Sequence, residues 1–516
     1  MKREATMASF RTTRHMLMAL AALVLAACAQ PGSGPVSGTG AAPAPKAPST
    51  SSRCSPSRQR VGDENHPKIV QKYGGVYQNA KLSAYVNELG RKLAAVSEQP
   101  NEKWTFTVLD SPTVNAFALP GGYVYITRGL AALANSEAEL AGVIGHEIGH
   151  VTAGHSSLRQ ERGTIATGVL LGAQILGTIA GVDPNLLKAG TQIGQVVAGG
   201  VLANYSRSDE LDADNLGIRY IGRAGYDPYA QADFLESMAA SAGLDAKLKG
   251  GSYNPNATDF FASHPATGPR TRQAIQAAKA SGAQIPVGAS RNRDRFLKII
   301  EGVTFGDSEE QGFVQGNTFS HPQLRFAFSA PSGFKITNSA SNVTATGPNN
   351  ARFIMDGGKN PKGSLTSYIS RTWVPGIGKT YRVGRVSGLQ PRRINGLEAA
   401  SGVVPVLING KNFQSLLVAI RLDGALYRLT GLAPQGSSML PTMSQAAETF
   451  RKLTTAEANR LRSSRIDVVT VGRRDTVASL SQRMNVSELK EDRFRVLNGL
   501  KPGEQVKRGQ KVKIIR

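Results

Sequence analysis

Cysteine is nearly missing, with two in 516 residues. That excludes both a disulfide framework and a cysteine-rich zinc module. Acidic residues are scarce too: 37 Asp+Glu face 61 Lys+Arg, which leaves a formal net charge of +24 and a pI near 10.1. Such a balance ordinarily suggests nucleic acid, but the N-terminus reads as an export address, so nucleic acid is not expected as a partner. Long apolar runs are few. Met16 to Leu25 has the length of a signal-peptide core and is too short to span a bilayer. No long repeat interrupts the chain. Hydrophobic residues at 40% and charged residues at 19% give a globular composition. At roughly 100–200 residues per domain, two to four folded units fit the length.

Arg11, Arg14 and His15 precede the apolar run, which ends in Leu25-Ala26-Ala27-Cys28. This resembles the lipobox of bacterial lipoproteins. The resemblance implies a signal peptide over 1–27 and a lipidated Cys28; an ordinary cleavable signal peptide is the alternative. Cys54 then has no intrachain partner. Ala29, rather than Asp, follows the cysteine, which favours an outer-membrane anchor facing the periplasm. Residues 28–61 are rich in Pro, Gly, Ser, Ala and Thr and read as a flexible tether, with too little apolar surface to offset ordering entropy. The positive charge then suits an anionic envelope, either lipid headgroups or cell wall.

Residues 62–290 read as mainly helical. Leu82, Tyr85, Val86, Leu89, Leu93 and Val96 fall at helical spacing. Trp104–Leu109 and Gly122–Thr127 read as strands, and Ser136 with Glu139 forms a capping-box pattern at the start of a further helix. From 300 to 450 short alternating runs between Gly, Pro and Asn indicate a β-rich domain. Residues 466–516 form a small last unit. The fold class expected is α+β and multidomain.

The chemistry gathers on the helix after Ser136. His146-Glu147-Ile148-Gly149-His150 is an HExxH pattern, and spacing of i, i+4 stacks both imidazoles on one face where they can share a metal. Glu147 lies beside them, placed to take a proton from water. A catalytic zinc needs a third protein ligand and an open position. His155 is out of step with the metzincin pattern HExxHxxGxxH, so that reading is rejected; His155 is expected to be a helix-terminal or surface histidine. Glu210 and Asp214 are i, i+4 on a later helix. Glu210 can reach the metal and Asp214 can accept a ring N–H from a ligating histidine. The alternative is a solvated acidic face that includes Asp209 and Asp212.

Five ordered motifs carry a resemblance: Asn115-Ala-Phe-Ala-Leu-Pro-Gly-Gly122, His146–His150, Ser206–Asp214, Ala224-Gly-Tyr-Asp-Pro228 and Ser263-His-Pro265. Together they resemble the M48 family of zinc metallopeptidases in its soluble periplasmic branch. The resemblance implies a zincin-like (gluzincin) protease domain over 62–290. One zinc per chain would be held by His146, His150 and Glu210, with Glu147 as catalytic base and Asp214 as supporting acid. This chain has Glu210-Leu-Asp212-Ala-Asp214 where the family often has Glu-x-Glu-Ala-Asp, which shortens a carboxylate not counted as a ligand. His264 is read as a reversible plug of the open zinc position, an oxyanion donor, or a helix-capping histidine. Val114–Tyr125 offers either a strand edge for an extended peptide or a core hairpin. Thr164–Val182, uncharged but carrying Gln174 and four glycines, is read as a lid-like helical pair, with a membrane span as the alternative.

The unit at 466–516 reads as strand, helix, helix, strand. It is similar to a LysM module, which implies peptidoglycan as a partner; a plain accessory domain is the alternative. Arg474 stands where a glycine usually precedes the aspartate. The function expected is a lipid-tethered zinc endopeptidase cutting unfolded or mislocalised envelope polypeptides. The competing class is an envelope scaffold or chaperone with little proteolysis, against which Glu147, both histidines and Glu210 all stand intact.

Overall fold

The computed structural model describes residues 56–155, 205–248, 264, 268–280 and 290–516. The signal peptide, Cys28, Cys54, most of the tether and Thr164–Val182 lie outside the described residues, as do Ser263 and Pro265.

Helix α1 (Pro56–Lys72) opens the fold, so the helix takes in Pro56 to Val61 from the segment expected to be tether. Buried Gly62 explains the early start: a Cβ there would meet the Pro120 carbonyl oxygen and the Tyr123 ring. Helix α2 (Ala80–Ala94) is capped by Asn79, whose side chain accepts from Leu82 N. It buries Leu82, Tyr85, Val86, Leu89 and Leu93, the stripe read from spacing. Gly90 lets α2 lie on the Phe106 ring, which a Cβ would approach to 2.5 Å.

Three strands follow, β1 (Thr105–Leu109), β2 (Ala116–Leu119) and β3 (Tyr123–Thr127), in sheet order β1-β3-β2. β1 runs parallel to β3, and β2 is its antiparallel edge partner. The segment holding Pro112 and Pro120 therefore contains a strand that alternation alone does not reveal, because all four β2 residues are buried. Helix α3 (Arg128–Leu133) leads to α4 (Glu137–Thr152), which carries HExxH and is buried along its whole length. Only half of the expected capping box closes on Ser136. Its side chain accepts from Glu139 N, but Glu139 Oε2 accepts from Asn135 N. Helices α5 (Arg207–Arg223), α6 (Ala230–Leu248), α7 (Gly268–Ala280) and α8 (Arg293–Ile300) complete this part. Ser206 and Asp209 form a full capping box at α5.

Strand β4 (Thr304–Phe305) belongs with the last unit and not with the β-rich domain, which corrects the boundary near 300. It pairs with Ser464–Thr470, which pairs in turn with the final strand Lys511–Ile515. Between these points an eight-stranded sheet centres on Leu397–Ile408, Lys411–Leu422 and Ala425–Pro434. One face packs on Met439–Glu448 and on Phe319, Phe326 and Phe328 of a second sheet. The other face is covered by helical turns over 365–378, with Trp373 buried in their middle.

The final unit has strand, helix, helix, strand order: Ser464–Thr470, Val477–Gln482, Lys490–Asn498 and Lys511–Ile515. It does not stand apart. Phe494, Leu497, Val512 and Ile514 share one apolar core with Leu89, Ile144 and Phe234. Lys513 is fully buried there, and its Nζ donates to the carbonyls of Ala132, Leu133 and Ala134 at 2.8, 3.0 and 2.7 Å. These are the orphan carbonyls at the end of α3, and burial pushes the Lys513 ammonium well below its usual range.

Candidate metal centre

Helices α4 and α5 pack through small residues. A Cβ on Gly145 would lie 3.3 Å from Gly217 Cα, one on Gly149 would lie 3.1 Å from the Ala213 carbonyl oxygen, and one on Gly217 would come within 2.9 Å of His146 N. Close approach of the two backbones brings the face of α4 that bears His146 and His150 against the face of α5 that bears Glu210 and Asp214. Ligand atoms of His146, His150, Glu210 and His264 all lie within 4.8 Å of one another, and all four residues are buried.

Each member is held from behind. His146 Nδ1 lies 2.9 Å from Asp214 Oδ1, leaving Nε2 to face His150 Nε2 at 3.0 Å. Asp214 is fixed by Gln231 Nε2 at 2.8 Å and by Arg270, whose Nε and Nη2 reach its two oxygens at 2.6 and 2.8 Å. Arg270 Nη1 also meets Glu210 Oε2 at 2.7 Å. His150 stacks on the Tyr205 ring, with centroids 3.7 Å apart, and its Nδ1 lies 2.9 Å from His155 Nδ1. His155 is thus not a surface residue. It lies buried just beyond the end of α4, with Nε2 3.4 Å from Asp212, because the acidic start of α5 covers it. His264 Nδ1 sits 2.9 Å from Glu210 Oε1, and its Nε2 lies 3.4 Å from Glu147 Oε1.

Electrostatics separate the acids. Burial opposes charge on all of them, and for Glu147 it prevails and raises the carboxyl. For Asp214 burial is outweighed by the Arg270 guanidinium and the His146 ring, which hold the carboxyl well below the usual range. Glu210 is likewise held well down against burial by His264 and Arg270. His146 is raised to about 9, burial being outweighed by Asp214 and then Glu210.

This donor set suits a divalent cation. Two imidazole nitrogens 3.0 Å apart present lone pairs to one point, and one guanidinium cannot neutralise the three carboxylates Glu147, Glu210 and Asp214 in a dry site. Neither oxygen of buried Glu147 has a hydrogen-bond partner among the described residues. Gln231, Arg270 as the clamp on Asp214 and Glu210, Tyr205 and His155 form the outer support. Of these, only the pairing of Arg270 with some acid was foreseeable from residue type, since its partner depends on helix packing.

Residues 80–278 match the model of Peptidase family M48. This segment belongs to that family. The M48 segment of this chain is 33% identical over 167 residues to the beta-barrel assembly-enhancing protease of Escherichia coli (strain K12), covering 30% of this chain and 32% of that one. The corresponding protease of Yersinia pestis is 32% identical over 166 residues, covering 31% and 33%. Mitochondrial metalloendopeptidase OMA1 of Schizosaccharomyces pombe is 28% identical over 218 residues, covering 42% and 59%. The chain thus spans about a third of the length of the two bacterial relatives. Among the described residues no helix is long and apolar enough to cross a membrane.

Proposed function

We propose that this chain is a zinc-dependent metalloendopeptidase of the bacterial envelope. The observation that carries the reading is the convergence of His146, His150 and Glu210 beside a buried carboxylate, Glu147, that has no hydrogen-bond partner among the described residues. His146, His150 and Glu210 would hold one zinc per chain. Zinc there would supply Lewis acidity and make water a stronger acid. Glu147, raised by burial, takes the proton from the attacking water and delivers it to the departing amine. Asp214 fixes the His146 ring, so it acts through its neighbour and not on the substrate. His264 adds a fourth donor at the position a catalytic site keeps open, which favours the plug role over the helix-capping one. β2 and β3 pair as a hairpin whose residues are all buried, which favours the core-hairpin reading of Val114–Tyr125 over a strand edge for an extended peptide.

The substrates proposed are unfolded or mislocalised envelope polypeptides, supported by relatives named for β-barrel assembly. A lipid on Cys28 would tether the chain at the outer membrane on the periplasmic side, and 466–516 would contact peptidoglycan. The test is casein degradation with and without chelator, run beside Glu147→Gln. The expected result is loss of cleavage on chelation, and a fall of about 10²-fold or more in the variant with its zinc retained. Full activity in Glu147→Gln would overturn its role as the base, and absence of cleavage in the zinc-loaded parent would favour the scaffold or chaperone reading. Cys28→Ser should let a carbonate wash strip the chain from the membrane fraction; retention through that wash would overturn Cys28 as the anchor.

A further inference from the structure

Residues 357–397 contain eight Lys and Arg and no acid, the densest one-sign stretch of the β-rich domain. Lys362, Arg371, Lys379, Arg382, Arg385 and Arg393 are all exposed. The structure gathers them along one corner. The edge strands Arg382–Val383 and Ser387–Ile394 both pair with Leu397–Ile408, from Arg382 opposite Leu407 to Arg393 opposite Glu398. At about 3.3 Å per residue that edge is roughly 30 Å long. The helical turns over 365–378 follow the same edge. At one end Ser364–Thr366 border a cavity of about 450 Å³ together with Pro391–Arg393. At the other end Gly378 lies against Val383.

Nearby acids are already engaged. Glu398 pairs with Arg421, and Glu448 pairs with Arg392. Among the described residues no ion pair with a carboxylate is made by Lys362, Arg371, Lys379, Arg382, Arg385 or Arg393. Protecting an edge strand from pairing needs a charge or two and a proline, which Pro391 already provides. Solubility is served by mixed signs, and this stretch is not mixed. The chemistry therefore points to an anionic partner. Its shape points to a plane: the charges are spread along the whole edge, and the large apolar side chains exposed among the described residues, Val76, Leu324 and Leu489, all lie outside this stretch. A protein partner would be gripped by a central apolar or aromatic anchor. A layer of negative headgroups needs none, because Lys and Arg near its surface are attracted individually.

We propose that this corner of the β-rich domain is a docking face for an anionic phospholipid bilayer, independent of the peptidase reading and of any lipid on Cys28. The test uses the full chain carrying Cys28→Ser, so that no attached lipid contributes. Its sedimentation is followed with phosphatidylcholine vesicles, either pure or containing one quarter phosphatidylglycerol. Binding is expected only to the anionic vesicles and is expected to fall with added salt. The combined change Arg371→Glu, Arg382→Glu, Arg385→Glu should weaken it about tenfold or more. A control with the same charge change, Arg473→Glu, Arg474→Glu, Arg508→Glu, should weaken it far less, with thermal melting confirming that both variants are folded. Equal losses in the two variants would make the attraction a property of net charge and overturn the proposal. Equal binding to neutral vesicles, or none to anionic ones, would also overturn it.

Discussion

The β-rich region and the M48 segment complete their cores in different ways. Phe319, Phe353, Val418 and Phe450 close against one another, so residues 313–450 supply both sides of their own core. The M48 segment does not: Leu89, Ile144 and Phe234 are completed by Phe494, Leu497, Val512 and Ile514 from the far end of the chain. Order along the chain is therefore a poor guide to which parts stand or fall together. What reads as a terminal accessory module is one wall of the peptidase core.

The largest effect should come from removing that wall. A chain ending before Ser464 would expose the apolar faces of α3, α4 and α6, and should lose all of its roughly 5–15 kcal/mol of stability in the M48 part. Loss of soluble expression and of zinc binding would show it. Replacing 313–450 by a short linker should instead leave zinc binding intact, because Phe305 already pairs with Ser464. If both deletions behave alike, the two regions are not energetically distinct.

A single residue narrows the contrast. Lys513→Ala leaves the carbonyls of Ala132, Leu133 and Ala134 buried without their donor. It should cost about 3 kcal/mol or more in urea unfolding of the M48 part, while unfolding of the β-rich domain stays in place. Asp214→Asn should leave both domains folded and weaken zinc binding about 10- to 100-fold, because it removes the charged acceptor behind His146. Unchanged affinity in a competition titration would show that the orientation of His146 does not depend on that carboxylate.

The smallest expected effect belongs to the β-rich domain. His321 is lowered to about 4 by burial, and its neutral Nδ1 accepts from Leu324 N. A histidine depressed in the folded state contributes stability that is present above about pH 6.5 and lost as pH falls towards 4. The loss should be about 1–2 kcal/mol, allowing for partial solvent access. His321→Gln should flatten that slope in the melting of the β-rich domain and leave the M48 transition unmoved.

Much of the candidate centre was legible because helix periodicity is local. His146 and His150, and likewise Glu210 and Asp214, are each one turn apart, so adjacency on a face follows from sequence alone. What could not be read depends on which helices meet. Gln231 and Arg270 reach Asp214 only because α6 and α7 pack against α5, and His155 is buried only because the start of α5 folds over it. The same holds for the fold. The stripe of α2 was plain, whereas for Val114–Tyr125 the choice between a strand edge and a core hairpin stayed open, since burial on both faces of β2 removes alternation. Lys513 was hidden more deeply: amid Lys507, Arg508 and Lys511 it reads as one more solvated cation.

The reach of Lys513 also sets an order of events. Its contact with Ala132 joins positions 381 residues apart, so the loop it closes is among the longest a chain of this size can form. Closing such loops is slow, and here it cannot begin until Lys513 itself has been made. The end of α3, from which the chain turns into the helix bearing His146, Glu147 and His150, thus waits for Lys511–Ile515 to seat before its carbonyls are satisfied. A chain interrupted before Lys511 would carry every site residue without the wall that completes their core.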